Sequence, residues 1–402
     1  MQRRSFVQLS LGALAASALP LSLKADKSTK LREIAAAKGL LFGSAVSDPQ
    51  LKRPELTALL AEQCSILVAE NQMKWRATHP EPDRYDFTSA DTFMDFAESH
   101  RIPARGHNLC WHEHNPAWLE AAATPENAVS LLRSHIQTVA GRYKGRIQSW
   151  DVVNEAIRPE HNNHNGMVNS VWLKTIGEDY VELAFRAAAD ADPSALLTYN
   201  DYDIETDAPE QEKKREAILT MLRRFRKKHV PIHALGVQSH LRPHGDPLTW
   251  NGLNKFLKEV KKLKLEMYVT ELDVDDQDFP ADIPERDRLV GEVYRSYLEN
   301  ILRQKSVKAV LTWCLSDRDS WLQGFRPRKD GRPPAPLALR RRPPLQASLF
   351  RPPRCPRRPE VRALRLRGQH RRPRPRDRAR VTRWVRYSDP RLHELFLAWP
   401  DR

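Results

Sequence analysis

Residues 149–155 read SWDVVNE, a short run of β-branched and apolar residues that ends in an amide and a carboxylate. Such a run predicts a buried strand. Seven more runs of this kind lie at residues 42–47 (FGSAVS), 66–71 (ILVAEN), 104–111 (ARGHNLCW), 196–201 (LLTYND), 234–241 (ALGVQSHL), 266–273 (EMYVTELD) and 309–317 (AVLTWCLSD).

Stretches with a helical period follow the first seven runs, for example residues 126–142, 171–190 and 284–304. Strands that alternate with helices predict an α/β fold with a parallel sheet, and eight such units over about 290 residues predict a closed (β/α)8 TIM barrel. We assign this barrel to residues 26–333. A doubly wound open sheet is the alternative architecture.

Polar and aromatic side chains follow the ends of the predicted strands. Barrel enzymes carry their chemistry at the carboxyl ends of the strands. The residues found there are Glu70, Asn71, His107, Trp111, His112, Asn154, Glu155, Asn200, Asp201, Gln238, His240, Glu271, Asp273, Trp313 and Asp317. Because a buried core does not require such groups at seven strand ends, we expect them to form one ring around an active site.

Glu155 and Glu271 each end an apolar run, on the fourth and seventh predicted strands. These strands face each other across the mouth of a barrel. A pair of carboxylates with aromatic and amide neighbours is typical of glycoside hydrolysis, in which one group protonates the leaving oxygen and the other attacks the anomeric carbon. Asn154 is placed to bind a sugar hydroxyl, and His240 to keep Glu271 ionised. Trp111, Trp313 and Trp321 offer indole faces for a pyranose ring.

His107, His112 and His114 also raise the possibility of a zinc site. On a strand, residues 112 and 114 share one face while residue 107 points the other way. No nearby carboxylate or cysteine completes a tetrahedral set, so we expect no metal and no cofactor. The cysteines are far apart and predict no disulfide framework; we expect Cys64, Cys110 and Cys314 to be buried thiols.

Seven segments together resemble the ordered motifs of glycoside hydrolase family 10, the endo-1,4-β-xylanases. They are AENQMKW (69–75), GHNLCWHEHNP (106–116), WDVVNEAI (150–157), YNDYDIE (199–205), GVQSHL (236–241), VTELDV (269–274) and WCLSDRDSWL (313–322). The resemblance implies a retaining hydrolase with Glu155 as acid/base and Glu271 as nucleophile. It further implies sugar subsites lined by Glu70, Asn71, Lys74, His107, Trp111, His112, Asn154, Gln238, His240, Trp313 and Trp321. His114 departs from the pattern, because the family commonly has Gln there; that departure concerns a distal sugar contact.

The formal net charge of +15 points at first to a polyanion partner. Residues 331–402 contain 21 Arg, no Lys and 5 acidic residues, a net charge of +16, while the preceding residues sum to −1. The barrel therefore carries no basic excess. We expect xylan and xylo-oligosaccharides as partners of a monomer, with no nucleic acid as a native partner.

The N-terminal residues MQRRSFVQLSLGALAASALP (1–20) combine an Arg pair with an apolar run that is too short to span a bilayer. The pattern resembles a twin-arginine export signal. We assign it to residues 1–25 and expect a periplasmic or secreted protein without a membrane anchor after cleavage.

The composition changes at about Pro333, where an eighth helix is expected to close the barrel. Residues 331–402 contain 13 Pro, and this density breaks helices. Many Arg without Lys is what a GC-rich gene gives when it is read out of frame, so we interpret residues 334–402 as a frameshifted, disordered tail that replaces the last helix. A genuine Arg/Pro-rich tail that binds polyanions is the alternative. Without the helix, we expect strands one and eight to lose their cover near Phe42 and Leu311.

Three other functions remain open. They are a retaining β-glycanase for another plant polysaccharide, a noncatalytic glycan-binding barrel in which the carboxylates bind sugar without cleaving it, and a polyanion binder that acts through the tail.

Overall fold

The computed structural model describes residues 30–243 and 248–335. The predicted export signal (1–25) and residues 336–402 of the predicted tail lie outside the described residues. Eight parallel strands form the sheet: β1 (Leu41–Val46), β2 (Ile66–Ala69), β3 (Ala104–Cys110), β4 (Ile147–Asn154), β5 (Leu196–Asp201), β6 (Ala234–Val237), β7 (Glu266–Val274) and β8 (Val307–Thr312).

The sheet is closed. Each strand pairs in parallel with the next, and β8 returns to pair with β1, where Val310 lies opposite Phe42. A further two-residue stretch, His240–Leu241, pairs with the end of β7. The predicted TIM barrel is therefore confirmed, and the open-sheet alternative is wrong.

Helices surround the barrel. They are α1 (Leu31–Ala37), α2 (Asp48–Leu51), α3 (Pro54–Gln63), α4 (Trp75–Thr78), α5 (Thr88–Ser99), α6 (Ala117–Ala122), α7 (Ala128–Arg142), α8 (Val171–Ile176), α9 (Tyr180–Ala191), α10 (Pro209–Lys227), α11 (Asn251–Lys262), α12 (Ile283–Ile301) and α13 (Leu322–Phe325). The single helix predicted over 171–190 is in fact two, because the chain turns at Gly177, whose φ is 83°. Within the described ranges, no helix is both long and apolar enough to cross a bilayer.

The apolar core has two layers, because successive side chains of a strand point to opposite sides of the sheet. The inner layer fills the barrel and consists of Ala45, Ile66, Val68, Ala234, Tyr268, Ala309, Leu311 and Trp313. The outer layer lies between the strands and the helices and includes Phe42, Leu67, Trp150 and Phe185. Cys64, Cys110 and Cys314 are buried free thiols, as expected.

The expected loss of cover near Phe42 and Leu311 is not observed. Phe42 is fully buried in the outer layer, and both α1 and α3 contact β1. Leu311 points into the barrel, so no outer helix is needed to cover it. After β8, the described residues contain no α-helix longer than four residues. Arg328 and Ala335 are nevertheless buried, and the Ala335 N–H donates to Asp276 Oδ2, just past the end of β7, at 3.0 Å.

Candidate active site

Glu155 follows the last residue of β4 and has φ 56°, in the left-handed region that few residues other than glycine adopt. Its N–H donates to the carbonyl oxygen of Asn200 at 2.9 Å, which fixes the turn. Its carboxylate accepts three hydrogen bonds: from Trp111 Nε1 at 2.9 Å, Asn154 Nδ2 at 3.0 Å and Gln238 Nε2 at 2.9 Å. One oxygen thus faces the indole and the other faces two amides.

Glu271 lies within β7 and is only 4% exposed. It accepts hydrogen bonds from Asn200 Nδ2 at 2.7 Å and from His240 Nε2 at 3.2 Å. His240 Nδ1 in turn lies 2.9 Å from Asp273 Oδ1. The indole of Trp321 donates to the other oxygen of Asp273 at 2.7 Å, so the imidazole is held between two carboxylates.

Two amides connect the carboxylates. Asn200 Nδ2 donates to Asn154 Oδ1 at 2.8 Å as well as to Glu271, while Asn154 donates to Glu155. Thr270 Oγ1 fixes the orientation of Asn200 by donating to its Oδ1 at 2.8 Å. Gly236 leaves the room that this arrangement needs, because a Cβ there would lie 2.2 Å from Asn200 Oδ1. The positions of the two acids are therefore coupled through β4 and β5.

The pKa values of the two carboxyl groups shift in opposite directions. Burial raises the pKa of Glu155, and the charges of Asp201 and Glu271 raise it further, while the hydrogen bond from Gln238 opposes this rise. Burial alone would also raise the pKa of Glu271, but the hydrogen bond from His240 and the charges of His107 and His240 lower it. Glu155 thus holds its proton more strongly than Glu271 does, which is the order that a general acid and a nucleophile require.

The charge on His240 contributes to the difference between the pKa values of Glu155 and Glu271. Burial alone would lower the pKa of His240, but the carboxylates of Asp273 and Glu271 raise it to about 10. A protonated imidazole has two N–H donors, which matches its two carboxylate neighbours. Its positive charge therefore favours the ionised form of Glu271.

A second cluster lies beside Trp111. Lys74 Nζ donates to Asn71 Oδ1 at 2.9 Å, and Asn71 donates to Glu70 at 3.1 Å. The Lys74 ammonium lies 5.1 Å from the centroid of the Trp111 ring. The chain therefore brings Glu70, Asn71 and Lys74 to the side of the site where Trp111 contacts Glu155.

Histidine and indole rings make up the rest of the predicted set. His107 is buried, hydrogen-bonds Asp151 at 3.0 Å and meets Trp313 edge-on with ring centroids 5.3 Å apart. His112 meets Trp111 edge-on at 5.9 Å. The ring of Trp321 lies 4.9 Å from that of His240. These contacts connect every predicted site residue to Glu155 or Glu271, either directly or through up to three intervening residues.

The placement of His112 and His114 on a strand is wrong. Strand β3 ends at Cys110, so both histidines belong to the loop that follows, and the alternation argument does not apply to them. Within residues 30–243 and 248–335, no three His, Cys, Asp or Glu side chains are grouped so that they could hold a metal ion.

Sequence reasoning left several residues of the site outside the candidate set. Asn200, Asp201 and Asp273 end predicted strands but receive no role from the sequence, and nothing in the sequence distinguishes Asp151. Asp201 is fully buried and pairs with Lys214 at 2.7 Å. The signal for Asn200 and Asp201 was their place beside each other at the end of β5.

The profile described as Glycosyl hydrolase family 10 matches residues 30–338. Endo-1,4-beta-xylanase B of Paenibacillus barcinonensis is 35% identical over 313 residues, which cover 74% of this chain and 91% of that protein. The crystal structure of native xylanase 10B from Thermotoga maritima superposes with a TM-score of 0.70 at 34% identity, covering 78% of this chain and 93% of that chain.

Xylanase 10B from Thermotoga petrophila RKU-1, solved in complex with xylobiose, also has a TM-score of 0.70, at 32% identity, and covers 79% of this chain and 93% of that one. The resemblance seen in the motifs is therefore confirmed over the whole barrel. The chain belongs to glycosyl hydrolase family 10 and is a glycosidase.

Proposed function

We propose that this glycosidase is an endo-1,4-β-xylanase that cleaves internal β-1,4-xylosidic bonds of xylan by a retaining double displacement. The observation that carries the proposal is the pair Glu155 and Glu271, which one chain of amides holds and whose pKa values shift in opposite directions. The names of the relatives, among them a structure that holds xylobiose, support the choice of substrate.

In the first step, Glu271 attacks the anomeric carbon while Glu155 gives its proton to the leaving glycosidic oxygen. The bond to the leaving sugar breaks, and a glycosyl ester forms on Glu271. In the second step, Glu155, now ionised, takes a proton from water, and that water attacks the same carbon and releases Glu271. Two displacements on one carbon keep the β configuration. This route predicts carboxyl groups about 5–5.5 Å apart.

The remaining residues bind sugar in this proposal. Trp111, Trp313 and Trp321 present indole surfaces to pyranose rings, since an indole buries the apolar face of a sugar. Polar contacts to hydroxyl groups come from Glu70, Asn71, Lys74, His107, His112, Asn154, Gln238 and His240. Asn154, Gln238 and His240 also touch the catalytic carboxylates, so sugar binding and the alignment of the acids depend on the same side chains.

The test is the release of reducing ends from linear xylan by the wild type and by Glu271→Gln. We expect the substitution to abolish release, because no ester can form on an amide. Glu210→Gln, which changes an exposed glutamate of α10, is the matched control and should keep full activity. Activity on cellulose or mixed-linkage β-glucan but not on xylan would assign another polysaccharide. Binding without release by the wild type would indicate a noncatalytic glycan-binding barrel.

We also propose that residues 1–25 direct export through the twin-arginine route and that the mature enzyme is a monomer. Fusing residues 1–25 to a reporter tests the first point: export should stop when Arg3 and Arg4 are both changed to Lys. Light scattering of the purified enzyme tests the second, and a mass of two chains would contradict it.

A further inference from the structure

His114, the departure from the family pattern, lies directly against the active site. Its ring stacks on Trp111 with centroids 5.1 Å apart and an angle of 8° between the planes. Trp111 donates to Glu155, so only one indole separates His114 from the proposed acid/base. The side chain at position 114 is thus within the reach of a sugar chain bound along this edge of the site.

His114 holds Arg76, which belongs to α4 and is exposed. The Arg76 N–H donates to the carbonyl oxygen of His114 at 3.0 Å, and Arg76 Nη2 lies 3.1 Å from His114 Nδ1. A guanidinium can only donate, so Nδ1 accepts and the ring is neutral. Burial and the charges of Lys74 and Arg76 also lower the pKa of His114 to about 4.

The charge of Arg76 has no carboxylate partner in the described part of the chain. No Asp or Glu oxygen of residues 30–243 and 248–335 lies within 4.0 Å of its guanidinium nitrogens. By contrast, the exposed Arg84, Arg142 and Arg146 each pair with a carboxylate, at 3.0, 2.5 and 2.7 Å. Arg76 therefore presents most of its N–H groups to solvent beside the site.

We propose that Arg76, oriented by His114, binds the carboxylate of a uronic acid side group on xylan and makes the enzyme prefer acidic xylan. The inference rests on the proposed xylanase function. The main chain of xylan is neutral, so a cation at this edge gains an ionic partner only from a charged substituent. A guanidinium matches the two oxygens of a carboxylate with two parallel hydrogen bonds, and an arginine already fixed by an imidazole loses less freedom on binding.

The experiment compares kcat/KM on a neutral linear xylo-oligosaccharide with kcat/KM on one that carries a glucuronic acid branch. Arg76→Gln should lower the value for the acidic substrate about two- to fivefold, as expected for an exposed ion pair. The value for the neutral substrate should stay within a factor of 1.5 of the wild-type value. The loss on the acidic substrate should come from a higher KM, with kcat unchanged. Arg133→Gln, at an exposed arginine of α7, is the matched control and should change neither value.

Salt provides a second readout. Because exposed charges are screened, 0.5 M NaCl should remove the wild-type preference for the acidic substrate and leave Arg76→Gln unaffected. Equal changes on both substrates in Arg76→Gln, or a preference that survives both the substitution and the salt, would overturn the role of Arg76. Failure of the wild type to cleave the neutral oligosaccharide would instead overturn the proposed xylanase function.

Discussion

The side-chain nitrogen of Asn200 donates a 2.7 Å hydrogen bond to Oε1 of Glu271. The same nitrogen donates to Asn154, which donates to Glu155. Asn200, on β5, therefore links the carboxylate that follows β4 to the carboxylate on β7. A hydrogen bond to an ionised group contributes more than one between neutral groups. Asn200 therefore orients the nucleophile and favours its ionised state.

Replacing Asn200 by Ala should lower kcat about 10- to 150-fold, because a hydrogen bond to a charged group contributes about 1.5–3 kcal/mol and 1.36 kcal/mol is tenfold in rate. The measurement is steady-state kinetics on an aryl β-xylobioside and on xylan. Asn254→Ala removes an amide pair with Asn300 between α11 and α12 and is the matched control. A kcat within threefold of the wild type would show that the amide chain has no part in catalysis.

Activity should depend on pH as a bell-shaped curve. The raised pKa of Glu155 sets the alkaline limb, where the acid loses its proton, and the lowered pKa of Glu271 sets the acidic limb, where the nucleophile gains one. Since the Gln238 hydrogen bond lowers the pKa of Glu155, Gln238→Leu should move the alkaline limb of kcat/KM to higher pH and leave the acidic limb in place. An alkaline limb that stays or moves to lower pH would contradict the assignment of Glu155.

Stability should fall in acid because of His135. This residue of α7 is fully buried, and its ring stacks on that of Trp75 with centroids 3.6 Å apart. Neither ring nitrogen has a hydrogen-bond partner, and burial holds the pKa of His135 well below 6.5. The folded state favours the neutral ring. Its contribution to the free energy of unfolding is therefore complete above the pKa of the unfolded state, about 6.5, and is lost as the pH falls below that value.

His135→Leu should therefore reduce the loss of unfolding free energy between pH 7 and pH 5 by up to about 2 kcal/mol. Urea denaturation at the two pH values measures it. His100→Leu, at an exposed histidine, serves as the control because it removes an imidazole that solvent reaches in both states. If His135→Leu loses as much unfolding free energy between pH 7 and pH 5 as the wild type does, other groups cause the acid sensitivity.

The eight strands and the two acids could be predicted from the sequence because each strand is a short apolar run that ends in a polar residue. Glu155 and Glu271 follow such runs directly, and the closed barrel brings the ends together. The side to which a strand residue points is harder to predict. Residues 309–311 of strand β8 are apolar and buried on both faces, so no alternation indicated that Leu311 points inward.

The contacts across the sheet could not be predicted either. Asn200 lies 46 residues from Asn154 and 71 from Glu271, and its role depends on the parallel register and on the space above Gly236. The end of β3 could not be predicted from the pattern either, because the predicted run continues to Trp111 while the strand ends at Cys110. The loop after β3 then places His114 against Trp111 and Arg76.

In the proposed mechanism, Glu271 forms a covalent ester with the sugar. Mass spectrometry after incubation with an activated 2-deoxy-2-fluoro-xylobioside tests it, because the fluorine slows both steps and the good leaving group lets the intermediate accumulate. We predict one added 2-deoxy-2-fluoro-xylobiosyl group, a disaccharide, on the peptide that contains Glu271, and none in Glu271→Gln. Label on Glu155, or hydrolysis with inverted product and no labelled peptide, would contradict the mechanism.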